Sequence, residues 1–335
     1  MINTCAASGE FLRNLVQNSS PQGLTRDEAA QALAYVEADP SLLLDLFSLT
    51  RSGPARQAAP RPFTCGIINA KSGRCAENCA FCAQSAHHDT GAPVYPLVDE
   101  ATLLERARLL AGRGVDYMGI VISGTGPSDD DFERICLAAR RIIDETGIKL
   151  CASLGLISPE QARRLKEAGF TSYHHNLETA PSFYPAICGT HDIERRCVTV
   201  RNARAAGLRC CSGGIFGLGE SWQQRLELSE LLAELEVDSI PVNLLNAIKG
   251  TPLENAPKLP PREALVIIAL LRLMHPGRDI VICGGRSHNL GRWENMIFPA
   301  GANGVMVGDY LVSKNNPMDQ DLEMVEILGL RHAGR

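Results

Sequence analysis

Short apolar runs alternate with longer helical patterns along most of the chain. From Phe63 onward, eight runs of four to seven residues have the length and composition of β-strands. They span residues 64–69, 117–122, 149–153, 172–176, 209–215, 239–244, 279–283 and 304–307. Helical patterns between them include residues 100–112, 130–146, 159–169, 195–206, 223–235 and 261–274. Repeated strand-helix units predict an α/β protein, and eight of them predict a closed (β/α)8 TIM-type barrel. A doubly wound open sheet is the alternative fold.

A helical segment precedes the predicted barrel. Residues 8 to about 50 carry apolar positions at helical spacing, and Thr25 to Glu28 has the pattern of a capping box. Residues 51–61, rich in Pro, Ala and Arg, are typical of a connector. We therefore expect an N-terminal helical extension with its connector over residues 1–55, a barrel over 56–320 and a C-terminal tail over 321–335.

Composition and charge limit the kinds of molecule that this protein is expected to bind. The 335 residues are 45% hydrophobic and 5% aromatic with a net charge of −5, and no run of Lys or Arg suits nucleic acid. The start lacks a secretory signal pattern, and no stretch reaches the ~18 consecutive apolar residues of a membrane span. We expect a cytoplasmic protein with a small-molecule substrate. Its twelve cysteines are then better read as metal ligands, reactive thiols or core residues than as disulfides.

The loop after the first predicted strand concentrates three cysteines. Cys75, Cys79 and Cys82 have the spacing Cys-x3-Cys-x2-Cys within eight residues. Three thiolates this close can hold one [4Fe-4S] cluster and leave its fourth iron open. The amino and carboxylate groups of S-adenosylmethionine (SAM) would fit that iron, an arrangement that resembles the radical-SAM enzymes, in which Phe81 would lie beside the nucleoside. The alternatives are a zinc knuckle completed by His87 or His88, and a disulfide knot.

Four further cysteines lie within predicted strands at positions that could share the inward face. Alternate strands of a barrel contribute side chains to the same interior layer. The first, third, fifth and seventh strands carry Cys65, Cys151, Cys211 and Cys283. We therefore expect a second metal cluster inside the barrel, with small buried core residues as the alternative. Cys210 should point away from the interior if Cys211 points inward, and Cys188 is a candidate spare ligand.

Polar and glycine-rich segments end several predicted strands, where the catalytic groups of barrel enzymes gather. Residues 123–127 and 212–220 are rich in glycine, which permits close backbone approach to a ligand. The fourth strand ends in the polar residues of 174–178, which could hold a ribose or an amino acid. Arg286 and His288 follow the seventh strand and are candidates to meet a carboxylate.

Over nearly its whole length the chain resembles the biotin synthases. The matching stretches are the Cys75 loop and residues 120–124, 151–155, 173–178, 211–215, 217–220, 239–243, 249–253 and 301–303. The resemblance implies a homodimeric radical-SAM sulfurtransferase that converts dethiobiotin to biotin. Two unactivated C–H bonds would be broken by 5′-deoxyadenosyl radicals, with sulfur drawn from an auxiliary iron-sulfur cluster. A low-potential donor such as flavodoxin or ferredoxin would supply electrons.

Matching positions imply roles for individual residues. Asn176, Glu178 and Arg196 match SAM-contacting positions, although the family more often has Asp at Glu178. With the motif aromatic and the glycine-rich turn, the expected SAM contacts are Phe81, Ser123, Gly124, Asn176, Glu178 and Arg196. The expected dethiobiotin contacts are Asn176, Ser239 and Asn243.

The chain departs from the family at the auxiliary cluster. Gly119 stands where a cysteine ligand is usual, Val281 stands where an arginine ligand is usual, and Cys65 and Cys283 stand where serine is usual. We therefore hypothesise an auxiliary cluster held by Cys65, Cys151, Cys211 and Cys283, with four irons in place of the usual [2Fe-2S] centre. The alternatives in function are another radical-SAM enzyme, such as a hydrogenase maturase or methylornithine synthase, and a cluster-binding scaffold or sensor without turnover.

Overall fold

Parallel strands close into a barrel, as the strand-helix repeats predict. The computed structural model describes residues 2–53 and 61–329, and side chains from residue 9 onward. The strands are β1 Phe63–Lys71, β2 Tyr117–Ile122, β3 Lys149–Ser153, β4 Ser172–His174, β5 Arg209–Cys211, β6 Gly214–Phe216, β7 Ser239–Leu244, β8 Asp279–Ile282 and β9 Gly304–Met306. Their order is β5-β4-β3-β2-β1-β9-β8-β7-β6, and pairing of β5 with β7 closes the ring.

One predicted strand is divided in two. The run at residues 209–215 forms β5 and β6, which both pair with β7 and together occupy one position in an eight-membered barrel. The ladder is interrupted because Pro241 of β7 has no N–H to donate. Backbone also approaches closely there, since a Cβ on Gly213 would lie 2.1 Å from the Pro241 carbonyl oxygen.

Helices cover the barrel and precede it. They are α1 Ile2–Gln17, α2 Arg26–Ala38, α3 Leu43–Leu49, α4 Glu100–Gly112, α5 Asp129–Thr146, α6 Pro159–Glu167, α7 Tyr184–Ile187, α8 Ile193–Ala205, α9 Trp222–Glu234, α10 Pro261–Met274, α11 Arg286–Leu290 and α12 Met318–Ile327. 3-10 helices lie at Pro40–Leu42 and Gly291–Ile297. Within the described ranges, no helix is both long and apolar enough to span a membrane.

Local sequence sets several of these boundaries. The predicted capping box is present at α2, because the Thr25 side chain accepts from the Glu28 N–H while Glu28 accepts from the Thr25 N–H. Ser158 and Ser221 start α6 and α9 with the same reciprocal bonds. Gly169 and Gly207 follow α6 and α8 with φ of 97° and 75°, a left-handed backbone that glycine adopts without strain.

The N-terminal helices pack against one side of the barrel. Helix α2 contacts α9 and α10, and α3 also contacts α10. Every residue of α10 from 264 to 274 is therefore buried, including Arg272. The Leu24 N–H donates to the Leu273 carbonyl at 2.9 Å, which ties the segment before α2 to the end of α10.

Candidate active site

One cavity is lined by all the cysteines expected to hold the two clusters and by all the residues expected to contact SAM or dethiobiotin. Its empty volume, including the open mouth, is about 1740 Å³, and it extends from strand starts at Phe63 and Tyr117 to the loops after the strand ends. Its lining includes Cys65, Cys75, Cys79, Phe81, Cys82, Ser123, Gly124, Cys151, Asn176, Glu178, Arg196, Cys211, Ser239, Asn243 and Cys283. The barrel therefore brings together two sets of cysteines that are far apart in sequence.

The three motif cysteines lie in a tightly bonded loop directly after β1. The Cys75 N–H donates to the Gln84 carbonyl at 3.0 Å, and the Ala86 N–H returns to the Cys75 carbonyl at 2.7 Å. The Gln84 side chain in turn accepts from Ser72 at 2.9 Å. These bonds hold the cysteines without help from regular secondary structure. Burial raises the pKa of the metal-free Cys82 thiol to about 11, so metal uptake would release its proton.

The two histidines beside the motif are bonded to backbone carbonyls. Nε2 of His87 lies 2.9 Å from the Ala76 oxygen, and Nε2 of His88 lies 3.1 Å from the Cys79 oxygen. These bonds favour a cluster held by three thiolates over a zinc knuckle completed by a histidine.

A buried polar network backs the cysteine loop. Arg196 donates from Nη1 to the Asn176 carbonyl at 2.9 Å and from Nε to the Tyr184 hydroxyl at 2.7 Å. Nε of Arg196 also approaches His191 Nε2 at 3.1 Å. Since Arg Nε can only donate, the proton of neutral His191 lies on Nδ1, which is 2.7 Å from Glu77. Burial and the Arg196 charge lower the pKa of His191, in keeping with a neutral ring.

Glu77 lies within the motif, between the first two cysteines. Burial opposes its charged form, but hydrogen bonds from Thr125, Thr190 and His191 outweigh burial and hold its pKa at about 2. The Thr125 hydroxyl donates at 2.6 Å and connects the loop after β2 to the cysteine loop. Glu77 and His191 are site residues that the sequence analysis missed. His191 could have been found, because it follows the fourth strand, where functional groups gather.

The residues expected to contact SAM occupy the same end of the cavity. The Ser123 hydroxyl donates to the Gly73 carbonyl at 2.8 Å, and Gly124 has φ of 122°. Glu178 has φ of 70°, and its Oε1 lies 3.4 Å from Arg196 Nη1. Its Oε2 is buried without a hydrogen-bond partner, and burial raises the pKa of this carboxyl. An unsatisfied buried carboxylate oxygen is suited to receive donors from a ligand.

Four cysteines line the cavity inside the barrel. Cys65 is in β1, Cys151 in β3 and Cys211 in β5, while Cys283 directly follows β8. Burial, followed by the neighbouring thiols, raises the pKa of Cys65 and Cys211, and burial raises that of Cys151 to about 11. All eleven cysteines whose side chains are described are free thiols. These four are therefore available as a set of soft ligands, with no disulfide to break.

Gly119 and Val281, where the resemblance implies ligands in related proteins, have apolar surroundings in the structure. Gly119 pairs with Ile67 across β1 and β2, and a Cβ at Gly119 would lie 3.0 Å from the Ile67 side chain. Val281 is buried in an apolar cluster with Cys283 and Met306. Both positions thus have apolar neighbours, while Cys283 lies two residues beyond Val281, on the same side of an extended segment.

Four more residues, in strands or in the segments that follow them, differ in where their side chains lie. Cys210 points outward, since its Sγ lies 3.5 Å from the Val200 carbonyl of α8. Arg286 does meet carboxylates, but they are the protein's own Glu294 and Asp321, so it is a structural residue outside the cavity. His174 faces inward, with Nδ1 3.4 Å from Cys211 Sγ, a contact between residues of two different strands that no local pattern predicts. Cys188 lies beside the cysteine loop, 3.7 Å from Cys79.

Two family models match the chain. Residues 70–232 match the radical SAM superfamily, and residues 241–331 match the biotin and thiamin synthesis associated domain. A biotin synthase of Geobacter sulfurreducens is 55% identical over 322 residues, covering 96% of each chain. One from Nitratidesulfovibrio vulgaris strain DP4 is 54% identical over 315 residues, covering 94% of this chain and 86% of the relative.

The chain belongs to the biotin synthase family. Solved structures with low identity share its fold: methylornithine synthase has a TM-score of 0.78 at 21% identity, covering 96% of this chain and 97% of the other. A maturase of the [FeFe]-hydrogenase from Carboxydothermus hydrogenoformans has a TM-score of 0.78 at 17% identity, covering 98% and 79%. At such identities the likeness concerns the fold, whereas the biotin synthase relatives extend over nearly the whole chain.

Proposed function

We infer that this chain is a radical-SAM sulfurtransferase that converts dethiobiotin to biotin. The observation that carries this function is a single cavity with two cysteine sets, one in the loop after β1 and one inside the barrel. A reaction that generates a radical at one site and takes sulfur from another needs both within reach of one substrate. Membership of the biotin synthase family supports the same conclusion.

The residues present fit the cofactors that this chemistry requires. When bound, a [4Fe-4S] cluster with SAM supplies a 5′-deoxyadenosyl radical, and an auxiliary iron-sulfur cluster supplies sulfur. We propose that Cys75, Cys79 and Cys82 hold the first cluster. The unpartnered Oε2 of Glu178 is available to a ligand beside them. We propose Phe81, Ser123, Gly124, Asn176, Glu178 and Arg196 as the SAM contacts.

The protein's part is to orient the reactants and to exclude water. Asn176 and Asn243 are held by backbone, since Asn176 Oδ1 accepts from Gly213 N–H at 3.2 Å and Asn243 Oδ1 accepts from Gly284 N–H at 3.0 Å. Their remaining polar capacity, with Ser239, is proposed to position the ureido ring of dethiobiotin. Ile67 and Val281 line the same cavity with apolar surface, which keeps a reactive radical from water.

We propose that Cys65, Cys151, Cys211 and Cys283 hold the auxiliary cluster, with four irons. Thiolates from four barrel positions suit a [4Fe-4S] centre. The residues at the usual ligand positions support this set, because Gly119 and Val281 offer no ligand atom from a side chain there.

The function is tested by an anaerobic assay of reconstituted protein with SAM, a reductant and dethiobiotin. We expect biotin from protein that carries roughly eight irons per chain, two cubanes of the cysteine-ligated kind. Cleavage of SAM without biotin would retain the radical chemistry and move the substrate to another branch of the superfamily. Failure to cleave SAM would favour a scaffold or sensor.

The auxiliary ligands are tested by iron and sulfide counts in the Cys65→Ser, Cys283→Ser double variant. We expect loss of about half of the iron and sulfide, roughly four of each, with SAM cleavage retained. The matched control is Cys210→Ser, because Cys210 is buried but points toward α8. Unchanged iron in the double variant would contradict the proposed ligand set.

Three further features are proposed on the resemblance to the family. They are a homodimer, a flavodoxin or ferredoxin as electron donor, and a cytoplasmic location. We also propose a division of the chain into an extension over residues 1–55, a barrel over 56–320 and a tail over 321–335.

A further inference from the structure

A fourth cysteine lies against the cluster loop outside the three-cysteine motif. Sγ of Cys188 is 3.7 Å from Sγ of Cys79, although 109 positions separate the residues in sequence. Both residues are buried, and Tyr184 packs with them in a small cluster. Cys79 is a proposed ligand of the first cluster, whereas Cys188 has no part in the proposed function.

Hydrogen bonds on either side hold the two segments together. The Ala80 N–H donates to the Ile187 carbonyl at 2.8 Å, and the Asn78 side chain accepts from the Gly189 and Thr190 N–H groups at 2.9 and 3.2 Å. Asn78 and Ala80 are the sequence neighbours of Cys79, and their partners lie one or two positions from Cys188. The contact between the sulfurs is therefore built into the fold.

The orientation of Cys188 is also fixed. Its Sγ lies 3.6 Å from Asn78 Oδ1, 3.5 Å from Thr190 Oγ1 and 3.3 Å from His191 Nδ1. Neither cysteine lies in a helix or strand, so small backbone and side-chain rotations can bring the sulfurs to the roughly 2.05 Å of a disulfide. The thiolates of a cubane point to separate irons, so a sulfur in contact with Cys79 is poorly placed as an additional cluster ligand.

We propose that Cys79 and Cys188 form a reversible disulfide when the loop holds no iron. The oxidant is a hydroperoxide. One thiol attacks the peroxide to give a sulfenic acid and one water, and the other thiol displaces the hydroxyl as a second water. The net change is two thiols and one hydrogen peroxide to one disulfide and two waters. The bond protects Cys79 from irreversible oxidation until a thiol reductant frees it for cluster assembly.

The inference rests on the proposed function only in assigning Cys79 to the cluster. Cluster-free full-length protein is treated with one equivalent of hydrogen peroxide, blocked with N-ethylmaleimide and digested with trypsin without reduction. Peptide 75–106 contains all three motif cysteines, and peptide 167–195 contains Cys188 as its one cysteine. We expect these peptides joined, with maleimide on Cys75 and Cys82. The cluster-loaded protein should not give the joined peptide.

Two variants complete the test. Cys188→Ser should abolish the joined peptide and, after excess peroxide, leave Cys79 as sulfinic acid with little iron recovered on reconstitution. Cys197→Ser, which removes a buried cysteine of α8, should behave as the wild type. If Cys188→Ser does not fold, the tryptic peptides of the wild-type protein are sufficient to test the proposal.

Other outcomes separate this inference from the function. Cys79 joined to Cys75 or Cys82, or Cys188 fully alkylated in the wild-type map, would overturn the inference. Biotin formation is assayed on the same preparation before the cluster is removed. Biotin without the joined peptide overturns only the disulfide, and the joined peptide without biotin overturns only the enzyme's proposed reaction.

Discussion

Arg196 connects the cysteine loop with the end of the fourth strand. Its guanidinium bonds the Asn176 carbonyl and the Tyr184 hydroxyl, and Nη2 lies 3.9 Å from Cys79 Sγ. Glu178 is its nearest carboxylate partner at 3.4 Å, yet one Glu178 oxygen stays unpaired. A buried carboxylate beside a fixed cation, with one free oxygen, is prepared for a ligand that brings its own donors.

We expect Glu178→Gln to weaken SAM binding about tenfold, because a hydrogen bond to a charged group contributes about 1.5 kcal/mol or more. Isothermal titration of SAM into anaerobic, cluster-loaded protein measures the change. Glu230→Gln is the control, since Glu230 forms an exposed ion pair with Arg26 far from the cavity. Equal affinity in the two variants would remove Glu178 from the SAM contacts.

Helix α10 illustrates how an element depends on its neighbours. Its sequence is apolar on all sides, and the structure buries all sides between the barrel and the N-terminal helices. At its C-terminal end, Nε2 of His275 lies 2.8 Å from Ser229 Oγ of α9. Burial, followed by the charges of Arg278 and Arg272, lowers the pKa of His275 from 6.5 to about 3.

The low pKa of His275 predicts that the free energy of unfolding depends on pH. Below pH 6.5, His275 binds a proton in the unfolded chain, whereas in the folded chain it does so only near pH 3. Folding stability should therefore fall with decreasing pH in that window, by up to about 1.4 kcal/mol per pH unit from this one group. Urea unfolding of His275→Asn at pH 7.5 and 5 should show a shallower dependence than wild type.

The exposed His87 provides the control for that measurement. His87→Asn should retain the wild-type pH dependence, because this ring lies at the surface of the cysteine loop. An identical slope in His275→Asn and wild type would mean that other groups account for acid sensitivity.

At the scale of the whole molecule, the N-terminal helices are part of the folded body. Leu46 of α3 is fully buried, whereas Leu44 in the same helix is 67% exposed. Thr50 Oγ1, just after α3, lies 3.3 Å from the Pro299 carbonyl, 249 positions away. The helices that precede the barrel thus complete its hydrophobic core.

We expect Leu46→Ala to destabilise the protein by about 3 kcal/mol, through lost burial and a cavity. Leu44→Ala, the matched control in the same helix, should change stability by less than about 0.5 kcal/mol. Urea unfolding monitored by circular dichroism compares them. Equal stability of the two variants would show that α3 is not packed as described.

Local patterns predicted most of the barrel, because strand and helix periodicity reflects which face of each element is buried. The prediction of one continuous strand at residues 209–215 was wrong, because Pro241 on a neighbouring strand interrupts the pairing and two short strands form. The three-cysteine loop was visible because its residues are contiguous. Glu77 and His191 were missed because their pairing depends on two distant loops meeting.

The sequence by itself determined the strand-helix alternation and the family, and it predicted which cysteines point into the barrel, since side chains alternate along a strand and strands alternate around a barrel. Only the tertiary structure decided that Cys188 contacts Cys79, that Glu77 bonds His191 and that all sides of α10 are buried. Those contacts join segments distant in sequence. They exist only after the barrel closes and the N-terminal helices pack on it.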